Sequence, residues 1–139
     1  MLLNKKTFAS YTAGLFDGEG CIRHTGKTEH VFITSCFPHH LALIQKHFGC
    51  GTLRKMLRSQ SNYRTAYRLE FYGKSAIGFL EEIGPFLIEK AYQANILLSI
   101  RSLPPRSAAR ETAMAELKKA KKIEYGSARP RASSESLYN

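Results

Sequence analysis

Residues 12–20 read TAGLFDGEG. Small residues, apolar residues at helical spacing and two carboxylates share these nine positions. Extended backward, Phe8, Tyr11, Thr12, Leu15 and Phe16 follow the i, i+3, i+4, i+7, i+8 stripe of an amphipathic helix, which predicts a helix over 7–17. Thr7 is the expected N-cap. A second face carries Ser10, Ala13, Gly14 and Asp17, all short, so another helix backbone can approach closely there. That face is the expected subunit interface. Gly18 and Gly20 are expected to end the helix, as glycine does where φ turns positive.

Beyond the helix the period changes from 3.6 to 2. CIRHTGKTEHVFITSC (21–36) predicts two strands around a turn near Gly26-Lys27. Arg23 and Thr25 share one face opposite Ile22. Val31 and Ile33 share a face, with His30, Phe32 and Thr34 on the other. Pro38 opens a helix through Leu41, Ile44 and Phe48 that Gly49 closes. TLRKMLR (52–58) and YRTAYRLEFY (63–72) predict a second strand pair. There Leu69 and Phe71 alternate with Arg68, Glu70 and Tyr72. Ser75 is the expected cap of a helix through Ile77, Leu80 and Ile83, stopped by Gly84-Pro85. Further helices are expected over Ile88–Ser102 and Ser107–Ile123. The order α-ββ-α-ββ-α-α with a final helix implies an α+β fold: one antiparallel sheet with helices packed on one face. Residues 1–124 form one expected domain, and 125–139 an expected disordered polar tail.

With 139 residues and 43% hydrophobic content, the chain can bury a core without staples. Its three cysteines, Cys21, Cys36 and Cys50, are an odd count without paired ligand spacing, which argues against a disulfide framework and for a reducing, intracellular compartment. Lys5-Lys6 followed by TFASYTAGLF faintly imitates a signal peptide, but Asp17 and Glu19 follow at once, and that reading is rejected. No run approaches the roughly 20 apolar residues of a membrane span. The net charge of +10 is concentrated. Nine Lys/Arg against Glu29 and Glu70 lie between Cys21 and Ser75, a field that attracts a polyanion. A basic, uncovered antiparallel sheet fits a DNA groove, where Arg reads guanine. The expected DNA-binding residues are Arg23, Thr25, Lys27, His30, Arg54, Arg58, Arg64, Arg68, Glu70 and Tyr72. Neither a membrane nor a small-molecule substrate is expected as a partner.

On TAGLFDGEG, on the element order and on PFLIEKAYQANILL (85–98), residues 7 to 103 resemble the LAGLIDADG homing endonucleases, in the group with one motif per chain that acts as homodimers. Thr12 departs from the motif's first Leu. The resemblance implies a DNA-binding saddle and site-specific double-strand cleavage of a long pseudo-palindromic site by metal-assisted phosphodiester hydrolysis. It implies that Glu19 is the metal-binding acid and that the Gly18 carbonyl is a further metal contact. Asp17 matches the structural acid at the helix end. Lys90 matches a lysine near the scissile phosphate. Ser35 stands where the family often has a longer polar group that orients water, so Glu19, Lys90 and Ser35 are the implied catalytic residues. The implied cation is Mg²⁺, with Mn²⁺ or Ca²⁺ able to occupy the same site.

The chemistry is consistent with general physics. Hydrolysis needs a cation to stabilise phosphate charge and acidify water. Mg²⁺ is satisfied by one or two carboxylates, substrate oxygens and waters, so one Glu per subunit suffices. A strand of about 8 to 10 residues would follow as many base pairs, giving roughly 20 for a dimer. The rival expectation is a non-cleaving binder on the same scaffold, an intron RNA maturase or a DNA-binding regulator. His39 and His40 are expected to be phosphate or surface groups, because adjacent histidines point apart on a helix. The Lys118–Lys122 run is expected to be a solvated face. Phage, bacterial and organellar settings are all compatible with this reading.

Overall fold

The computed structural model describes residues 4–56 and 65–125, with side chains to 122. The chain order is α1 (Lys5–Glu19), β1 (Gly20–His24), β2 (Glu29–Ser35), α2 (Pro38–Phe48), β3 (Thr52–Met56), β4 (Ala66–Tyr72), α3 (Lys74–Ile83), a 3-10 turn (Gly84–Phe86), α4 (Ala91–Ile100) and α5 (Ala108–Tyr125). The two hairpins join through β2 and β4 into one antiparallel sheet of order β1-β2-β4-β3. The expected α+β fold is therefore the observed one.

The alternation seen in the sequence sets the two sheet faces. Ile22, Val31, Ile33, Leu69 and Phe71 are buried and face the helices. Four phenylalanines bind the layers: Phe71 stacks on Phe79 at 4.2 Å, and Phe16 and Phe48 meet Phe79 edge-on at 5.6 and 5.0 Å. Each such ring contributes about 1.5–3 kcal/mol by leaving water. Pro38 opens α2, and Gly49 closes it at φ 69°, as the sequence predicts.

Helix α1 differs from its reading in three ways. It begins at Lys5, because Asn4 and not Thr7 is the N-cap; the Asn4 side chain accepts from the Thr7 amide at 2.8 Å. Its inward face is Ala9, Thr12, Ala13 and Phe16, while Tyr11 stays 47% exposed. Of the expected stripe, Thr12 and Phe16 are buried and Phe8 and Leu15 pack against the core, while Tyr11 turns outward and the small Ala9 and Ala13 face inward. Finally, α1 continues through Gly18 to Glu19, and Gly20 has an extended φ of −85°. Glycine is needed at 20 for space, since a Cβ there would lie 2.4 Å from the Phe16 ring.

Other boundaries shift for local reasons. Gly73 precedes α3, and the Ser75 hydroxyl donates to the Tyr72 carbonyl instead of capping. Helix α4 starts at Ala91 rather than Ile88, because residues 88–90 turn to meet Asp17. Helix α5 runs from Ala108, with the Ser107 hydroxyl oxygen accepting from the Arg110 amide. Strands β3 and β4 lie within their readings, with Thr65 just ahead of β4, and residues 57–64 fall outside the described residues. The expectations for Arg58 and Arg64, and for the tail beyond Tyr125, lie outside the described residues.

Gly20→Ala is expected to lower unfolding stability by about 1–3 kcal/mol, because Phe16 is fully buried and has no room to retreat. Urea denaturation of the two proteins checks this; an unchanged midpoint would show that the ring moves freely.

Candidate metal and nucleic-acid site

The C-terminal end of α1 is fixed by the chain's one aspartate. Asp17 Oδ2 accepts from the Ile88 amide at 2.9 Å, and Oδ1 from the Lys90 amide at 3.0 Å. Lys90 Nζ donates to the Asp17 carbonyl at 2.7 Å and is buried. A cation on the last carbonyls of a helix is favourable, since the helix dipole ends negative there. As expected of a structural acid at the helix end, the Asp17 carboxylate serves a contact within the chain. Ala13, expected on the subunit-facing surface, is fully buried in the chain. The exposed stripe of small residues is Ser10, Gly14 and Gly18, with open space beside both glycines. Lys90, expected near a phosphate, has its ammonium on the end of α1.

With Asp17 occupied, Glu19 is the free carboxylate at the helix end. It is exposed and lines a pocket of about 480 Å³ together with Leu15, Thr34, Ser35, Cys36, Phe37, His40 and Ala66. The structure thus brings Glu19 and Ser35 to one pocket from separate elements. The Ser35 oxygen accepts from the Phe37 amide at 3.1 Å, which leaves its proton to donate. His40, read from sequence as a phosphate or surface group, also lines this pocket, and its Nε2 is buried with no hydrogen-bond partner among the described residues. Among the described residues, no group of three or more His, Cys, Asp or Glu is arranged to hold a metal ion. One carboxylate with an adjacent backbone carbonyl suits a hard cation that keeps its waters, not a cage of nitrogen and sulfur ligands.

The second part of the candidate site is the sheet face away from the helices. Antiparallel pairing places Arg23 beside His30 and His30 beside Tyr72; it also places Phe32 beside Glu70 and Thr34 beside Arg68. Arg54 lies opposite Arg68 on β3. Arg23 Nε donates to His30 Nδ1 at 2.7 Å, and His30 stacks on Tyr72 at 4.2 Å. Glu70 accepts from Arg54 at 2.6 Å and from the Tyr72 hydroxyl at 2.7 Å. Arg68 donates to the Thr34 hydroxyl at 3.2 Å and lies 4.1 Å over the Phe32 ring. His30 and Glu70 are buried, so their groups meet neighbouring side chains more than solvent. Thr25 and Lys27 are exposed at the β1–β2 turn.

These contacts displace titrations. Burial holds His30 below its ordinary 6.5, helped by Arg23 and opposed by Glu70. Burial would raise Glu70, but hydrogen bonds from Tyr72 and Arg54 hold it below 4.5. Glu29 is likewise held down against burial by Arg101, which donates at 2.9 Å. The basic character of this face is therefore organised around one buried carboxylate and one neutral imidazole. Phe32 and Thr34 were not recognised from sequence as seats for arginines. Their signal was the alternation that put them on the arginine face.

No family model matches the sequence, and no curated protein matches it. Solved structures do. The homing endonuclease I-CvuI in complex with its target in the presence of calcium is 22% identical, with a TM-score of 0.63 over 91% of this chain and 87% of that one. The same enzyme on the I-CreI target with magnesium gives 22% identity and a TM-score of 0.65 over 97% of each chain. The archaeal intron-encoded homing endonuclease I-Vdi141I complexed with DNA gives 18% identity and a TM-score of 0.68 over 89% of this chain and 90% of that one. The likeness establishes the fold.

Acidification is expected to destabilise the protein in two steps. The groups have folded pKa values below their unfolded ones, so their stabilisation is complete above the unfolded values and is lost as pH falls. His30 and His24, both held down by burial, go first, below 6.5, followed by Glu70 and Glu29 below 4.5. Urea unfolding from about pH 8 to 3 checks this. His30→Phe should reduce the first step and leave the share of His24, and stability that rises between pH 7 and 5 would contradict the assignment.

Proposed function

We propose that this chain, which has the fold of the LAGLIDADG homing endonucleases, is a site-specific DNA endonuclease that works as a homodimer with Mg²⁺. The observation that carries the proposal is an exposed Glu19 at the end of α1, in a fold shared over nearly the whole chain with endonucleases bound to DNA. Asp17 and Lys90 fasten that helix end, so Glu19 and the Gly18 carbonyl are fixed in place without being consumed. Those two oxygens would hold the cation, and Mn²⁺ or Ca²⁺ would accept the same donors. When bound, the cation would stabilise charge on the phosphate and acidify the attacking water.

The chain's own residues supply positioning. The Ser35 hydroxyl, an acceptor from the Phe37 amide, would donate its proton to water in the Glu19 pocket, and Lys90 neutralises the carbonyl end of α1. Strands β2 and β4 have seven residues each, so the sheet follows about seven base pairs at about 3.3 Å per residue and 3.4 Å per pair. Two such sheets, joined through the Ser10–Gly14–Gly18 stripes of two α1 helices, would present both Glu19 carboxylates near a two-fold axis. That symmetry requires a pseudo-palindromic site. A non-cleaving nucleic-acid binder is the second reading, and the burial of Lys90 against α1 favours it.

Selection of cleaved sites from a randomised double-stranded DNA library with Mg²⁺ separates the two. The endonuclease reading predicts a cleaved site. It also predicts that Glu19→Gln loses activity by more than the roughly 100-fold that loss of an outer-shell partner costs, while keeping duplex binding. Tight binding with no cleavage of any sequence would leave the binder.

A further inference from the structure

The outward row of β2, His30-Phe32-Thr34, has a regularity that general DNA affinity does not require. Each end residue is the direct cross-strand neighbour of one arginine, Arg23 on β1 and Arg68 on β4. Each engages its arginine at the same atom. Nε of Arg23 donates to His30 Nδ1 at 2.7 Å, and Nε of Arg68 donates to Thr34 Oγ1 at 3.2 Å. Between them, Phe32 lies under both guanidinium groups, with the carbons 5.6 and 4.1 Å from its ring centre. Cation–π attraction and the Nε bond hold each side chain in one orientation.

We propose that Arg23 and Arg68 form a paired guanine reader on the sheet, with His30, Phe32 and Thr34 as positioning residues. This rests on the proposed DNA-binding role of the sheet face. An arginine reads guanine by donating two parallel hydrogen bonds to O6 and N7. Anchoring through Nε leaves both terminal amino groups of Arg23 and Arg68 for that contact. The nearest acid to Arg68, Glu70, is 3.9 Å from its NH1, too far for a hydrogen bond. Arg54 is the contrast: its NH2 is bound to Glu70 at 2.6 Å, so half of its fork is spent and its charge is matched. Arg54 therefore contributes to backbone attraction and does not read a base. The two guanidinium carbons lie within about 10 Å of each other, so the two guanines fall within about three base-pair steps. His30 seats Arg23 through an unprotonated Nδ1, which puts the proton of the neutral ring on Nε2.

The test is selection of bound sites from a randomised duplex library by the full chain and its variants, each first shown to fold by circular dichroism. The unmutated protein should prefer two guanines per half-site within that spacing, each by about 5- to 150-fold. Arg23→Ala should relax one of these positions and Arg68→Ala the other, while Arg54→Ala weakens all sequences alike. His30→Phe keeps a ring against Tyr72 but removes the acceptor, and should relax the Arg23 position alone. His30→Asn keeps an acceptor and should restore the preference. Should His30→Phe fail to fold, Thr34→Val makes the same test at the Arg68 position. Uniform loss of affinity in Arg23→Ala and Arg68→Ala, with both preferences intact, would overturn the reader while leaving the endonuclease reading in place. Failure of the unmutated protein to retain any duplex would overturn both.

Discussion

The carboxylate of Asp17 holds together two segments more than seventy residues apart in sequence. It accepts from two consecutive-but-one amides, at Ile88 and Lys90, as α4 is about to begin. In return Lys90 places its ammonium on the carbonyl of Asp17. A buried ammonium without such oxygen partners would be costly. Here it also meets the negative end of the α1 dipole. The consequences run outward from this contact. The end of α1 is fixed, α4 starts three residues late, and the first polar groups left over are those of Gly18 and Glu19. A helix end that would otherwise fray becomes a rigid mount for one free carboxylate, which is what a weakly liganded hard cation requires.

The sheet solves a different problem. Arginines suited to a polyanion repel one another and lose order when they wave freely in solvent. Strand register answers this by alternating anchors with arginines: Glu70 gathers Arg54 and Tyr72, His30 holds Arg23, and Thr34 with Phe32 holds Arg68. Such preorganisation reduces the side-chain entropy lost on binding. It also explains why a phenylalanine faces outward on β2, which burial alone would not place there.

Local signals made much of this legible. Period-2 alternation gave Val31 and Ile33 their inward side, Pro38 and Gly49 bounded α2, and element order implied the α+β sheet. The candidacy of Glu19 came from resemblance to a motif, since one exposed glutamate carries no signature of its own. What sequence could not supply was long-range. Nothing near Asp17 indicates that its partners are the amides of residues 88 and 90, so its short side chain read as part of a small exposed face. The exposure of Tyr11 on α1 has a related reason. Hydrophobicity favours Tyr11 over Ala9 and Ala13, but the close approach of α1 to its neighbours favours small residues. His40 was visible only as half of a histidine pair, and its place beside Glu19 depends on how α2 leaves β2.

In the proposed dimer α1 works in duplicate, one small face against another, with a Glu19 at each end. Gly14 is the point of leverage, because a side chain there meets open space in the single chain. Sedimentation equilibrium of the unmutated protein and of Gly14→Leu measures this directly. A dimer is expected for the first and a folded monomer for the second, the gain in helix propensity of roughly 0.8 kcal/mol opposing the stability that is lost with the interface. An undiminished Gly14→Leu dimer, or an unmutated protein that stays monomeric at high concentration, would contradict it.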